Sequence, residues 1–352
     1  MDIEKLRKEI NNIDGEILKL LNKRAEVAIE IGETKKKIGI LPYRPARERD
    51  VINSLIKKNK GPLNSQAIKN IYREIMSASV NLQKKLTIVY LGPEATFTHE
   101  AATKKFGLSA DYKPSLSIKE IFSAVEKGIA DFGVVPVENS TEGIETPTLD
   151  MFIESDLKIC DEILLPISHC LLSRSKKKKI KKVYSHPQAL AQCRIWLQKN
   201  LSSVPLMEVY STAQAAKLAV KEKFSAAIAS ELASRLYNLP IVGKSIEDYS
   251  INVTRFLVIG KEWSQPTGDD KVSLMFSLKD KVGALHFSLK PFYDHNINLT
   301  KIESRPSKRK LWEYYFFVDL EGNCEEEKVK QAIEELKPRC TFLKVLGSYP
   351  KG

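Results

Sequence analysis

Between Gly133 and Thr148 the chain reads GVVPVENSTEGIETPT. An apolar run, Phe132–Val137, long enough for a buried strand, breaks at Glu138 into Asn139, Ser140, Thr141, Glu142 and then Gly143. Such a loop offers hydrogen bonds and a carboxylate. No nucleophile stands beside a base, and no metal-ligand cluster appears. Polar pairs recur at Ser185-His186, just before Pro187, and at Ser211-Thr212, each where a strand-like segment gives way to a helix-like one. Taken singly, each is a helix N-cap. Taken with Glu138–Thr141, they make a donor-rich cradle for an anion. A second group with chemical potential lies near the N-terminus. Arg24 occupies a position where a long helix is due an apolar residue, and Lys35, 11 residues on, falls about 20° off the same stripe. Two cations on an inward stripe suit an anionic ligand, although both could instead snorkel to solvent.

The elements that must position these groups follow from periodicity. Leu6, Ile10, Ile13, Ile17, Leu20, Val27 and Ile31 recur at coiled-coil-like spacing. A helix from Ile3 to Lys37 would run about 50 Å, too long for one small domain, so its seam must be buried against another chain. Pro45 fits the first turn of a second helix running to Lys60, and Gly61-Pro62 ends it. Asn64 or Ser65 could cap a third helix, with Ile68, Ile71, Ile75 and Ser79 in phase and Gln83 on the same face. From residue 86 to 262 strand-like and helix-like segments alternate in an α/β pattern. The strands are Thr87–Leu91, Phe132–Val137, Leu164–Leu172, Lys182–Tyr184, Leu206–Tyr210, Ala226–Ala229 and Thr254–Ile259. The helices include Pro187–Asn200, Thr212–Glu222 and Ser230–Tyr237. The last strand would return to the first series, giving two lobes with a cleft between them. Ser264–Asp270, SQPTGDD, is a turn-rich linker. Beyond it the order is βαββαβ, a ferredoxin-like module over 271–352.

Bulk properties narrow the function classes. A chain of 352 residues with 43% hydrophobic residues holds two or three domains with real cores. It has no 18-residue apolar run and no apolar leader, so the expectation is a cytoplasmic protein without membrane contact. Five cysteines at 160, 170, 193, 324 and 340 show no metal spacing, and no cofactor is expected. The net charge of +12 admits nucleic-acid binding. Its densest run, KKKKIKK at Lys176–Lys182, lacks interleaved aromatics for base stacking, which favours a solvated face.

The stretch at Gly133–Thr148 closely resembles the signature of prephenate dehydratases. Three further motifs of that family stand in order: YLGPEATFTHEAA at Tyr90–Ala102, SHPQALAQC at Ser185–Cys193 and TRF at Thr254–Phe256. The resemblance implies the two-lobed, periplasmic-binding-protein-like architecture for residues 86–262. It points to Thr254 as the key catalytic residue; a threonine hydroxyl is a poor general acid, so it would hydrogen-bond the leaving hydroxyl while water or Glu138 supplies the proton. It makes Asn139, Ser140, Thr141, Ser185 and Gln192 binding residues, and Arg255 a partner of the substrate carboxylate or a support of the site. His99 and His186 lie inside family motifs, and both structural hydrogen bonding and proton transfer stay open to them. Ala95 stands where many relatives have glycine and would be strained if its φ were positive.

Residues 1–85 resemble the all-helical chorismate mutases at Arg7, Arg24, Lys35, Arg47, Glu48, Ser79 and Gln83, with Arg44 in place of an acidic residue. That resemblance assigns Arg7 and Arg24 to the substrate carboxylates, Lys35 and Gln83 to the breaking ether oxygen, and Glu48 to a hydroxyl. The rearrangement needs no proton transfer, only a compact conformer and a stabilised oxygen. The C-terminal module resembles the amino-acid-binding ACT domain. This implies phenylalanine as effector, bound by Gly283, Ala284, Leu285, Asn298, Leu299, Glu303 and Ser304. The resemblance as a whole implies a bifunctional enzyme of phenylalanine biosynthesis acting on chorismate and prephenate, at least a homodimer, with no nucleic-acid partner. The rivals are a non-catalytic two-lobed sensor and a nucleic-acid-binding regulator.

Overall fold

The computed structural model describes residues 2–39, 41, 43–141, 143–249, 251–307 and 313–352; Pro42, Glu142 and Trp312 lie outside them. The chain divides into two compact units, residues 1–87 with 106–111, and residues 88–105 with 112–352.

The first unit is helical. α1 runs Ile3–Lys37, with Asp2 accepting from the Glu4 amide at its start and three lysines in its last turn, both favourable to the helix dipole. α2 is Pro45–Lys58, with proline in its first turn as the sequence suggests. α3 is Ser65–Gln83, capped by the Asn64 side chain. α1 and α3 pack together along the stripe that carries Arg24 and Lys35. The rest of the α1 seam is open: Leu6, Ile10, Ile13, Ile17, Leu20, Val27 and Ile31 are exposed.

The second unit holds two sheets. Its elements in order are β1 Thr87–Leu91, α4 Phe97–Phe106, β2 Asp111–Ser115, α5 Ile118–Glu126, β3 Phe132–Asn139, β4 Gly143–Ile144, α6 Thr146–Glu154 and β5 Lys158–Pro166. The chain then crosses to a second lobe: β6 Cys170–Leu172, β7 Lys182–Ser185, α7 Pro187–Gln192, α8 Arg194–Asn200, β8 Leu206–Glu208, α9 Thr212–Lys221, β9 Ser225–Ala229, α10 Glu231–Tyr237 and β10 Ile241–Gly243. β11 Val253–Gly260 returns to the first sheet. The C-terminal module follows as β12 Asp270–Leu278, α11 Ala284–Asp294, β13 Leu299–Pro306, β14 Tyr314–Glu321, α12 Glu327–Leu336 and β15 Cys340–Pro350, the expected βαββαβ order.

Two expected elements are broken, each for a local reason. The strand expected at Leu164–Leu172 is two strands, β5 and β6, in different sheets. Between them the chain passes from lobe to lobe, with the Ile167 amide held by the Asn252 carbonyl at 2.8 Å on the returning crossover. The helix expected at Pro187–Asn200 breaks at Cys193. There the Asp248 amide takes the Gln192 carbonyl at 2.7 Å, and its carboxylate accepts from the amides of Ile195 and Trp196, capping α8.

The lobe-two sheet has the order β10-β6-β9-β7-β8. The other sheet runs β13-β14-β12-β15-β5-β11-β3-β1-β2, with β4 against β3, so the C-terminal module extends the sheet of the first lobe. The joint is the parallel contact of Gly347 in β15 with Ile159 in β5, where any side chain on Gly347 would collide with the Ile159 carbonyl. Four strand spacings separate β14 from β11, about 19 Å in a flat sheet. Yet Asp319 of β14 touches Arg255 of β11 at 2.5 Å. The sheet therefore curls over its own face, and one core lines the curl. Val135, Val137, Leu257 and Ile259 pack there with Tyr315, Phe317, Leu346 and Tyr349.

Candidate functional site

The cleft of the second unit encloses about 270 Å³ and is walled by both lobes. Asn139, Thr254, Pro136 and Phe256 come from the paired ends of β3 and β11, and His169, His186, Gln192, Ser211 and Thr212 from the other lobe. The expected convergence of strand-end polar residues is thus present. Asn139 and Thr254 stand opposite each other in the β3–β11 ladder.

A closed ring of side-chain hydrogen bonds fixes the donor sense at this point. The Thr141 backbone amide, an obligate donor, bonds Asn139 Oδ1 at 3.0 Å, and Thr141 Oγ1 bonds the same oxygen at 2.6 Å. Asn139 Nδ2 must then face the other way, donating to Asn252 Oδ1 at 2.8 Å and to Thr254 Oγ1 at 2.7 Å. Asn252 Nδ2 donates to Gln192 Oε1 at 3.0 Å, and Gln192 Nε2 reaches Thr141 Oγ1 at 3.3 Å, which closes the ring across the lobes. Because Thr254 Oγ1 accepts from Asn139, its own proton is available to a group in the cleft. His169 Nε2 lies 2.9 Å from Gln192 Oε1; burial lowers the His169 pKa, and the neutral ring donates there through Nε2–H.

Four expected cleft residues do other work. Ser185 is fully buried and its hydroxyl donates to the Ile228 carbonyl at 2.8 Å, joining β7 to β9. Ser140 is tied to β11, accepting from the Val253 amide at 3.0 Å. Glu138 and Arg255 lie on the reverse face of the sheet. Glu138 pairs with Lys301 at 2.8 Å, and Arg255 pairs with Glu162 at 2.7 Å and with Asp319. Strand alternation is the cause, since each is the neighbour of a cleft residue, Asn139 or Thr254; beyond them a bulge in β3 steps the register from Arg255↔Glu138 to Phe256↔Pro136 and leaves Val137 extra. Val137 and Glu138 thereby share one face while Pro136 and Asn139 share the cleft. Among the described residues a carboxylate of the cleft wall is Glu145, at the start of α6.

Sequence reasoning passed over Asn252, His169 and Glu145. Asn252 was within reach, since two residues before Thr254 in a strand means the same face. His169 follows from the lobe crossover and Glu145 from the bulged loop, and neither leaves a local pattern. His99 is structural: its Nδ1 accepts from the Ala95 amide at 3.1 Å, its ring stacks on Tyr90, and burial lowers its pKa. Ala95 does adopt a positive φ of 69°, held by that bond and by Ser230 Oγ on its carbonyl. His186 caps α7 and lines the cleft.

In the helical unit Arg24 donates to Ser79 Oγ, and Lys35 Nζ lies 3.5 Å from Gln83 Oε1. Burial and the Arg44 cation lower the Lys35 pKa, and Glu48 pulls it partly back. Arg24, Lys35, Ser79, Gln83 and Glu48 therefore gather at one end of α1. Arg47 is exposed beside Glu48. Arg7 is not brought to them; it pairs with Glu4 at 2.7 Å, and the 17 residues between Arg7 and Arg24 span about 25 Å of helix.

In the C-terminal module Gly283 has φ 78° and caps α11; a Cβ there would lie 2.8 Å from the Phe287 ring. Gly283, Ala284 and Leu285 line a cavity of about 320 Å³ with Tyr314 and Phe316. Ser304 and Glu303 pair with Phe316 and Phe317 near that end of β13. Leu299 pairs with Leu320 and Asn298 bonds Glu321, about 13 Å further along β14. Within one chain the Asn298–Leu299 end of β13 thus lies apart from the Gly283–Leu285 cavity.

Three family models match the chain in order: Chorismate mutase type II over residues 6–84, Prephenate dehydratase over 88–264 and ACT domain over 272–338. The chain is 53% identical to a bifunctional chorismate mutase/prephenate dehydratase of Aquifex aeolicus, covering 99% of this chain and 98% of that protein. It is 44% identical to one of Pseudomonas aeruginosa over the same shares. A prephenate dehydratase of Arthrobacter aurescens, solved in complex with L-Phe, superposes with TM-score 0.71 at 32% identity, over 76% of this chain and 90% of that one.

The lowered Lys35 pKa gives a signed pH expectation. The ammonium that faces Gln83 is lost at lower pH than in an ordinary lysine, so any activity needing it falls as pH rises toward that value. Arg44→Gln removes one lowering cause and should move the alkaline limb of the helical unit's pH–rate profile upward. An unmoved limb would detach that activity from Lys35.

Proposed function

Because the chain belongs to the bifunctional chorismate mutase/prephenate dehydratase family and ends in an ACT domain, we propose residue roles for each of its two reactions and its regulation. The enzyme rearranges chorismate to prephenate, then converts prephenate to phenylpyruvate with loss of CO2 and water, on the route to phenylalanine. The units are residues 1–85, 86–262 and 271–352.

For dehydration, the observation that carries the reading is the Thr254 hydroxyl, held as an acceptor by Asn139 and free to donate into the cleft. Thr254 hydrogen-bonds the departing ring hydroxyl as it gains negative charge, which is the moment such a bond strengthens. Departing CO2 leaves its electron pair to the ring, the hydroxyl leaves with its own pair, and aromatisation drives both. Ser211 and Thr212, at the start of α9, face the cleft and suit a substrate carboxylate. Gln192 and Thr141 hold the lobes together over the substrate. Thr254→Ala should stop phenylpyruvate formation while prephenate still binds and chorismate is still consumed, so that prephenate accumulates. Retention of more than about a tenth of kcat, a loss below roughly 1.4 kcal/mol, would make Thr254 structural.

For the rearrangement, Arg24 and Arg47 bind carboxylate, Lys35 and Gln83 bond the ether oxygen, Glu48 holds a hydroxyl, and Ser79 orients Arg24. Arg7 acts in the site of a second copy. The open α1 seam supports this reading: each of its apolar side chains gains about 1.5–3 kcal/mol on burial, and an antiparallel copy returns Arg7 to the far end. The expected assembly is a homodimer or higher. Mixed Arg7→Ala and Arg24→Ala chains should regain mutase activity that neither has alone. No recovery after proven subunit exchange would contradict the shared site.

Phenylalanine is the feedback ligand. Its carboxylate suits the Gly283 helix start, and a partner module supplies the Asn298–Leu299 end that one chain holds too far away. Among the described residues no helix is long and apolar enough to cross a membrane, and a cytoplasmic location fits the five free thiols.

A further inference from the structure

The ladder that presents Asn139 and Thr254 to the cleft presents Glu138 and Arg255 on its reverse face, and these two are also opposite each other. The C-terminal module meets them with a cross-strand pair of its own, Lys301 opposite Asp319 in β13–β14. The pairs join crosswise. Arg255 Nη1 reaches Asp319 Oδ2 at 2.5 Å, and Lys301 Nζ reaches Glu138 Oε2 at 2.8 Å. Each module offers one cation and one anion, in matching order. The rest of the guanidinium is fixed as well, Nε on Glu162 at 2.7 Å and Nη2 on the Tyr349 hydroxyl at 2.9 Å. The other oxygen of Asp319 accepts from Ser273 Oγ at 2.5 Å. The Arg255 side chain is only 11% exposed and that of Glu162 is 0% exposed, so the planar fork has one orientation available.

We propose that Asp319, a residue of the C-terminal module, is a positioning residue for dehydration. It acts through Arg255, which it anchors, on Thr254, the next residue of the same strand. The inference rests on the reading of the cleft as the dehydration site. Thr254 and Arg255 are neighbours in β11, so losing the Asp319 anchor loosens the strand segment that aims the Thr254 hydroxyl. Asp319 also lies three residues beyond Phe316, which lines the cavity at Gly283. A ligand that reorders that end of β14 therefore acts on the dehydration site through the same strand and the same ion pair. Were the cluster only a fastener between modules, its loss would lower stability and leave turnover alone.

The test is Asp319→Asn in the full chain, which keeps the shape and removes the charge. In the folded variant kcat for phenylpyruvate should fall about 10–100-fold with KM changed by less than about twofold, the pattern of an interaction spent on the transition state. The mutase rate should not change. Phenylalanine should still bind by calorimetry but alter the residual dehydratase rate less than in the unaltered chain. Asp319→Glu, which keeps a carboxylate, should recover part of kcat. If Asp319→Asn does not fold, Lys301→Met, at the other corner of the clamp, should lower kcat in the same sense. A folded Asp319→Asn chain, or failing that a folded Lys301→Met chain, with kcat within about threefold of the unaltered chain and a full phenylalanine response overturns the inference. An unaltered chain that makes no phenylpyruvate from prephenate overturns the functional reading instead.

Discussion

A guanidinium surrounded by two carboxylates and a phenol cannot be moved piecemeal. Around Arg255 the charges balance: Arg255, Lys271 and Lys301 face Glu138, Glu162 and Asp319, and burial raises the Tyr349 pKa so that it stays a neutral donor and acceptor. Removing one member would leave its partner buried and uncompensated, at about 3–5 kcal/mol. That constraint explains why the sheet curls, since only a curled sheet brings β14 over β11. It also gives the cleft a fixed back wall. Asn139 and Thr254 are held from the front by a ring of amides and from behind by the ion cluster.

The two chemistries use charge differently. In the helical unit Arg24 and Lys35 lie on the stripe that packs against α3, where burial and Arg44 weaken the hold of Lys35 on its proton. A lysine so placed is a strong donor toward a developing oxyanion. In the cleft the cation has been moved off the ligand side altogether. What lines it instead is amides, a threonine hydroxyl, helix-start hydroxyls, two histidines and the Glu145 carboxylate, with no lysine or arginine among the described lining residues. That suits a reaction in which CO2 must leave, since a cation clamped on the departing carboxylate would hold back its electrons.

Much of this was legible in the sequence. The long seam of α1, the caps at Asn64 and Ser211, the return strand Thr254–Ile259 and the βαββαβ order all follow from local periodicity and turn chemistry. Asn139, His186, Ser211 and Thr212 are marked by the same turn chemistry, whereas Thr254 and Gln192 come from the resemblance alone. What escaped depends on non-local geometry. A single extra residue at Val137 puts Val137 and Glu138 on one face and returns Pro136 to the cleft with Asn139, and no composition signal marks a bulge. The partners of Arg255 depend on the curl of the sheet, which brings Asp319 from 64 residues away. Ser185 reads as a cleft donor until β9 supplies a carbonyl for it. The breaks at Cys193 and between β5 and β6 are set by Asp248 and Asn252 from the returning crossover, which a local reading does not see.

On the proposal made above, the reverse face of the β3–β11 pair carries the state of the ACT domain to the dehydration cleft. Linkage makes this measurable in the unaltered protein, because a ligand in one site must change affinity at the other by the reciprocal factor. Calorimetry of phenylalanine binding, with and without a saturating non-reacting prephenate analogue, measures that factor directly. Phenylalanine binding should be weaker by about 5–150-fold when the cleft is filled, a coupling of 1–3 kcal/mol. An affinity unchanged by the analogue would contradict it.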